Sequence, residues 1–525
     1  MPSSDLKCIG STDFFTKQGL TTMTFTRQNV WELGSDWADP ILWYARGVKA
    51  MKARPLNDPT SWRFFGAMHG FDQNLWSQLG LLDEGDQPPS DGDMKTYWMQ
   101  CQHGSWYFLP WHRGYLLALE AVVRDAIAQL SGPSATWALP YWNYFKPSQN
   151  QLPPAFASPD WPDGTGDNPL YVVQRYGPDN NGSIYIPTDQ VDQNALGDSR
   201  FVGPGQGGSQ GFGGVSTGFA HSGQRHGGVE SQPHDAVHVL VGGGDDQNPG
   251  LMSFPDLAGL DPIFYLHHAN IDRLWEVWNR GNPSHADPAD AKWVQGPASI
   301  GERAFAMPMP GGRSWAYTPA DTVSLSTLGY GYDDVSAPAQ PQIASRFQRL
   351  GMAPPEPGRR PAMANVELLG ASQGGLSLTG SGAKTSVQLD HAVRNKVSSS
   401  LQGMTGGAPA PDRIFLNLEN VRGVNDATVF SVYINVPEAD DPARHPELRA
   451  GSVGLFGVSK ASAMDGPHAG DGLTFVVEIT HVIDTLHLHG ALNVNQLHVS
   501  LVPRREVPAA SPVSIGHISI FRQSP

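Results

Sequence analysis

Cysteine is almost missing from this chain, with Cys8 and Cys101 the only two in 525 residues. Two thiols cannot staple a chain of this length, which excludes a small disulfide scaffold and fits a reducing compartment. Charge is sparse as well: Asp, Glu, Lys and Arg make up 16% of the residues, against roughly 25% in an average soluble protein. The charge present leans acidic, with 35 Lys and Arg against 50 Asp and Glu and a net −15, so no nucleic-acid partner is expected. Long hydrophobic runs are missing too. No window of about 18 apolar residues occurs, and the N-terminus lacks the uninterrupted apolar stretch of a signal peptide. The expectation is therefore a cytoplasmic protein without a membrane partner. Export together with a partner protein would leave no trace in the sequence, and a homo-oligomer is compatible with it.

Glycine is abundant. Its 59 residues and the 44 prolines together form about a fifth of the chain, which predicts extensive loops. A hydrophobic content of 39%, with 15 Trp, 14 Tyr and 21 Phe, nevertheless supplies a core of ample size for two to four domains. The clearest helix is Arg113–Leu130, where Leu116, Leu119, Val123, Ile127 and Leu130 recur at three- and four-residue steps behind Pro110 and ahead of Gly132-Pro133. Further helices are read at His267–Trp278 and His234–Leu240. The eleven glycines between Gly203 and Gly228 contain no phosphate-binding pattern after a strand and are read as a pliable loop. From about residue 336 to 385 the texture is that of a Pro/Gly/Ser-rich linker. Beyond it, segments beginning at Arg413, Thr428, Leu473 and Gln496 alternate with period two and are rich in β-branched residues. The fold expected is a mainly α domain over 1–335 and an all-β, sandwich-like domain over 386–525. His481, His487 and His489 are read as surface histidines of that second domain, the last two on one strand face.

The chemistry lies in the histidines. His234 and His238 stand at i and i+4 on one helix face, a spacing that lets both imidazoles reach one metal ion. His267 and His268 open a second helix, with Asp272 four residues after His268 and so in reach as a supporting acceptor. Upstream, His69 follows an apolar run, and His103 and His112 bracket an aromatic stretch that includes Phe108. Two sets of imidazoles without carboxylate or thiolate partners suit copper better than the hard or thiophilic metals. By itself each set is also compatible with buried structural histidines. A zinc hydrolase is a poor reading of His234-Asp-Ala-Val-His238, since such sites place Glu, not Asp235, after the first histidine.

Two longer stretches resemble a known family. Asp261-Pro-Ile-Phe-Tyr-Leu-His-His-Ala-Asn-Ile-Asp-Arg-Leu-Trp275 resembles the second copper signature of the type 3 binuclear copper proteins, the tyrosinases, catechol oxidases and haemocyanins. Cys101-Gln-His103 followed by Phe108-Leu-Pro-Trp-His112-Arg resembles the first. The likeness spans about residues 25–335, and the tail is similar to the C-terminal β-domain of many plant and fungal members. It implies two copper ions, one on His69, His103 and His112, the other on His234, His238 and His268, with His267 a neighbour. It implies a thioether between Cys101 and His103, and a water-orienting role for Glu230 with residue 235, here Asp235 where asparagine is frequent. Tyr330-Gly331-Tyr332 resembles the tyrosine motif that closes the catalytic domain, and Arg27 the arginine that packs on it. The activity implied is O2-dependent o-hydroxylation of monophenols and oxidation of o-diphenols to o-quinones. A catechol or o-aminophenol oxidase without the hydroxylation is the alternative, and a dioxygen carrier a remote one. The β-domain is expected to cover the site, with Leu448, on a loop spanning 437–450, as the candidate for a side chain over the coppers.

Overall fold

The computed structural model describes residues 25–336, 350, 365–391, 395–397, 412–466, 468–492 and 495–524. Its contacts divide the chain into two compact units. The first comprises Met1–Thr188, Ser216–Gly223 and Leu240–Ser336, the second Asp189–Val215, Gln224–Val239 and Ala337–Pro525. The helices that position histidines or support those that do are α1 (Asp39–Lys52), α2 (Trp62–His69), α3 (Phe108–Gln129), α4 (Ala236–Gly242) and α5 (Pro262–Gly281). No helix among the described residues is long and apolar enough to cross a membrane.

In the first unit α3 is the central element, and α1 and α5 pack on it. It begins five residues before the start read from its periodicity, because Pro110 falls in the first turn, where a missing N–H costs no helical hydrogen bond. Seventeen of its 22 residues are buried, which is why its apolar stripe continues into Trp111, Tyr115 and Leu117 on other faces. The Ser61 hydroxyl caps α2 by accepting from the Phe64 N–H at 3.1 Å. Asp261 caps α5 by accepting from the Ile263 N–H at 3.0 Å, and Arg175 holds that carboxylate at 2.6 Å. Strand β1 (Phe25–Arg27) pairs in parallel with β4 (Tyr330–Tyr332), and β2 (Phe305–Met309) pairs with β3 (Arg313–Tyr317).

The second unit is built on a nine-stranded sheet. Its strands are β5 (Val366–Ala371), β6 (Leu376–Leu378), β7 (Ala383–Leu389), β8 (Arg413–Arg422), β9 (Val429–Ile434), β10 (Arg449–Gly454), β11 (Leu473–Glu478), β12 (Gln496–Pro503) and β13 (Val513–Gln523). They run in the order β10-β9-β12-β7-β5-β13-β8-β11, with β6 also on β13, and the sheet curls until its end strands approach each other. Inside lies a core that includes Leu416, Phe430, Val432, Leu455, Val499, Leu501 and Ile520. The four segments read from period-two alternation all become strands. The segment read as linker up to residue 385 does not stay linker: β5, β6 and the start of β7 fall within it. Their Gly and Ser residues serve the tight turns between short strands, which composition alone cannot distinguish from a linker. The stretch from His481 is a helix, α6 (Thr480–Leu488), and not a strand, although Thr480, Val482, Ile483 and Thr485 are all β-branched.

Candidate metal centre

In the first unit, α2 ends on His69 and the first turns of α3 carry His112, while His103 and Cys101 come from the loop between them. The ligating atoms of these four buried residues all lie within 4.8 Å of one another. The loop is held by the glycine-rich segment at 216–223. The His103 N–H donates to the Ala220 carbonyl at 3.1 Å, and the His103 carbonyl accepts from the Gly223 N–H at 2.7 Å. The crossing is so tight that a Cβ on Gly104, where φ is +58°, would sit 2.5 Å from the Gly223 backbone. Glycine at 104 and at 223 is thus a condition for closing the site.

The orientation of the rings is what a metal requires. The His69 Nδ1 lies 2.8 Å from the Pro255 carbonyl, and the His112 Nδ1 2.8 Å from the Phe108 carbonyl. A carbonyl can only accept, so each Nδ1 carries the proton and each Nε2 keeps its lone pair for a ligand. Burial also holds the His112 imidazole well below the usual histidine range, so it is neutral at working pH. Cys101 Sγ stands 3.3 Å from His112 Nε2. It is 3.5 and 3.6 Å from the two nitrogens of His103, between which lies the ring carbon Cε1.

α5 sets His268 beside this group, though not among its four members: its ring stacks on His112 at 4.2 Å between centroids and 12° between planes. Phe264 packs against both His268 and His69, and Phe108 against His112, so the imidazoles are walled by aromatic rings and water is kept out. His267 lies beside His268, 5.2 Å between ring centroids, and belongs with it to one histidine-rich group; its Nδ1 is 3.3 Å from the Tyr144 hydroxyl, and burial pulls it down to about 3.

Asp272, expected to support His268, accepts instead from four other donors. Arg113 Nε reaches it at 2.5 Å, Arg27 at 3.0 Å, Tyr330 at 2.7 Å and Tyr332 at 2.5 Å. Two guanidiniums and two phenols saturate the carboxylate, leaving no place for an imidazole. Arg27 also donates twice to Glu120 and lies 4.1 Å over the Tyr330 ring. The network ties β1, α3, α5 and β4 together beneath the histidines.

In the second unit, His234 and His238 stand on a segment that sequence periodicity reads as one helix. It is a wide helical turn, Glu230–Asp235, interrupted by extended backbone at Gln232 (φ −143°, ψ 120°), and it continues into α4. The His234 Nδ1 lies 2.9 Å from Asp235 Oδ1, which again leaves Nε2 for a ligand. The other oxygen of Asp235 is 2.7 Å from Nδ1 of His226, and Glu230 Oε1 lies 3.8 Å from that same nitrogen. Burial pulls His226 down, but the two carboxylates and the hydrogen bond outweigh it and push the imidazole up to about 9. Burial alone would raise Asp235, and His226 opposes that rise. Glu230 Oε2 accepts from the Gly227 N–H at 3.2 Å.

One ring was not foreseen. Phe456, just past the end of β10, stacks on His238 at 4.3 Å and 27° and meets His234 edge-on at 5.7 Å. Gly454 allows this approach, since a Cβ there would lie 3.1 Å from the backbone of Ala236. Leu448, the residue expected over the site, is drawn into the core of the sheet instead. His226 and Phe456 carried no signal of spacing or periodicity; only the fold places them beside the metal-binding pair. The donor chemistry fits copper: two buried histidine-rich groups, with ring tautomers fixed by carbonyls or a carboxylate.

Residues 59–281 match the family described as the common central domain of tyrosinase, and residues 365–523 match one described as a domain of unknown function. Over 510 residues, 95% of this chain and 99% of the relative, the sequence is 32% identical to a tyrosinase of Hahella sp. (strain CCB-MM4). It is 26% identical over 496 residues to a chloroplastic polyphenol oxidase A1 of Vicia faba, covering 88% of this chain and 72% of that protein. Among solved structures, latent apple tyrosinase aligns over 95% of this chain and 97% of its own, with a TM-score of 0.58 at 21% identity, a likeness of fold.

Proposed function

The chain belongs to the tyrosinase family of type 3 copper proteins, and we propose that it hydroxylates monophenols at the ortho position and oxidises o-diphenols to o-quinones. It is a copper oxidoreductase that uses O2, and two copper ions are its cofactor. The ligands we assign are His69, His103 and His112 for one ion and His234, His238 and His268 for the other. The observation that carries this assignment is the fixing of ring tautomers: Pro255, Phe108 and Asp235 each engage an Nδ1 and so aim an Nε2 at the metal. When bound, the two ions supply one electron each to O2.

The chain's own residues do the rest. Conversion of a monophenol and O2 to an o-quinone and water requires the phenol to give up its hydroxyl proton, and an unperturbed phenol near pKa 10 holds it at neutral pH. Glu230, buried and fixed by the Gly227 N–H, is the carboxylate we assign to orient the water that takes this proton, with Asp235 beside it. A catechol oxidation makes less demand on that base. The thioether we assign between Cys101 and His103 would fix one ligand ring covalently, consistent with the sulfur's contact with that ring.

Phe456 gives the β unit its role. A benzene ring stacked on His238 takes the position a phenol ring would need over that imidazole, so we assign Phe456 to keep the enzyme latent. Initial rates on a monophenol and on its catechol test the proposal. Glu230→Gln is expected to lower the monophenol rate by about 10²- to 10⁴-fold and the catechol rate far less. A wild-type protein that oxidises catechols and leaves every monophenol untouched would overturn the hydroxylation and leave a catechol oxidase.

A further inference from the structure

Asp235 is the carboxyl partner of an assigned copper ligand, His234. A fully buried carboxyl side chain stands directly after His234 and 5 positions after a second buried one, Glu230. A buried carboxyl needs a hydrogen-bonded partner. For Asp235 that partner is His226, itself 7% exposed, whose Nδ1 lies 2.7 Å from Asp235 Oδ2 and passes 3.8 Å from Glu230 Oε1, beyond hydrogen-bond distance. The carboxylate of Asp235 therefore bridges two imidazoles, one through each oxygen: His234 through Oδ1 and His226 through Oδ2.

We propose that His226 is a positioning residue for the hydroxylation, holding Asp235 in the rotamer that orients His234 and keeping Glu230 directed at the substrate's proton. This rests on the monophenol reading above. The bridging geometry is decisive: a carboxylate held by His234 alone can turn about χ2 and exchange its oxygens, whereas one held at both oxygens cannot. Aspartate at 235 and histidine at 226 thus form one device. The local backbone supports it. The Gly227 N–H donates to Glu230, and the Gly228 N–H donates to the Gly211 carbonyl, so the two residues that follow His226 are anchored. His226 also lines a polar cavity of about 120 Å³ within the second unit, together with Asp192, Asp198, Ser231, Gln232 and Arg413. Water can enter there when a smaller side chain replaces the ring, so substitution does not open a dry void.

The test uses the copper-loaded full chain and two substitutions. Asn places an amide N–H near the position of the histidine Nδ1, whereas Leu offers no donor. For His226→Leu the ratio of monophenol to catechol kcat is expected to fall about 10- to 100-fold, the usual cost of losing a residue that orients a metal ligand. For His226→Asn most of that ratio is expected to return, with two coppers per chain in both variants. The proposal is overturned if the Leu variant loses both activities equally, if its ratio stays within twofold of wild type, or if Asn is as damaging as Leu. Should the Leu variant not fold, the Asn variant decides: a ratio within about threefold of wild type supports the proposal, and a larger loss refutes it. The comparison with Glu230→Gln separates this inference from its foundation. Selectivity lost in Glu230→Gln but kept in His226→Leu refutes only the role of His226, selectivity kept in both refutes the role of Glu230 as well, and a wild type inert to every monophenol refutes the hydroxylation reading itself.

Discussion

Replacing Phe456 with alanine removes the ring that occupies the face of His238. The contact comprises one stacked and one edge-on aromatic pair, at 4.3 and 5.7 Å. Such pairs contribute about 0.5–1.5 kcal/mol each beyond the area they bury. If the closed and open arrangements differ by one such pair, the fraction of enzyme open to substrate rises by roughly 2- to 12-fold, at 1.4 kcal/mol per factor of ten. With both pairs counted at the middle of the range the factor approaches about 30. The assay is the initial rate of quinone formation at substrate concentrations below KM, for a small catechol and for one with a bulky para substituent. Copper content and thermal midpoint are measured on the same samples. The gain should be larger for the bulky substrate, because a small ring can share space with a partly displaced phenylalanine and a large one cannot. Phe456→Tyr should stay latent, since the tyrosine ring fills the same face. Equal rates for wild type and Phe456→Ala on both substrates, with copper intact, would refute the occlusion argument and make Phe456 a packing residue.

Other consequences follow from the same contacts. Intact mass should be two hydrogens below the translated sequence and Cys101 should resist alkylation after denaturation; a readily alkylated Cys101 would rule out the thioether. Asp272→Ala leaves two buried guanidiniums without their shared carboxylate and should cost about 3–5 kcal/mol, read as a lowered urea midpoint of the copper-loaded protein. Burial raises the Asp272 carboxyl, but Arg113 and Arg27 outweigh it and hold it below the usual carboxylate range, so its contribution is complete above its unfolded pKa near 4. It is lost as the pH falls from there through the lower folded value, and the urea midpoint should decline over that acid window less steeply in Asp272→Ala than in wild type.

Much of this was legible in residue order. The 3.6-residue stripe marks α3 although the helix is buried on further faces, and strands β8, β9, β11 and β12 show themselves through β-branched, period-two sequence, although only β11 buries strictly alternate residues. Of the histidines the structure gathers, His103, His112 and His268 lie in two long motifs, His234 and His238 stand at an i, i+4 spacing, and His69 closes an apolar run. What stayed hidden depends on tertiary approach. Phe456 follows Gly454-Leu455, a stretch without pattern, and reaches His238 only because the glycine lets β10 lie against Ala236. His226 sits in a run of glycines, and its meaning comes from Asp235, brought back to it by the break at Gln232. Asp272 stands at the right spacing from His268 yet is captured by residues 245 positions before and 60 positions after it in the chain. α6 misleads because its β-branched residues serve a helix packed on the sheet.

The most direct test of the account is the copper count of the protein reconstituted with excess copper and then freed of unbound metal, compared between wild type, His268→Ala and His267→Ala. The ligand assignment predicts two coppers per chain in wild type and in His267→Ala, and one in His268→Ala with oxidase activity essentially abolished. A wild-type count that saturates at one, or the loss of a copper from His267→Ala while His268→Ala keeps two, would contradict it.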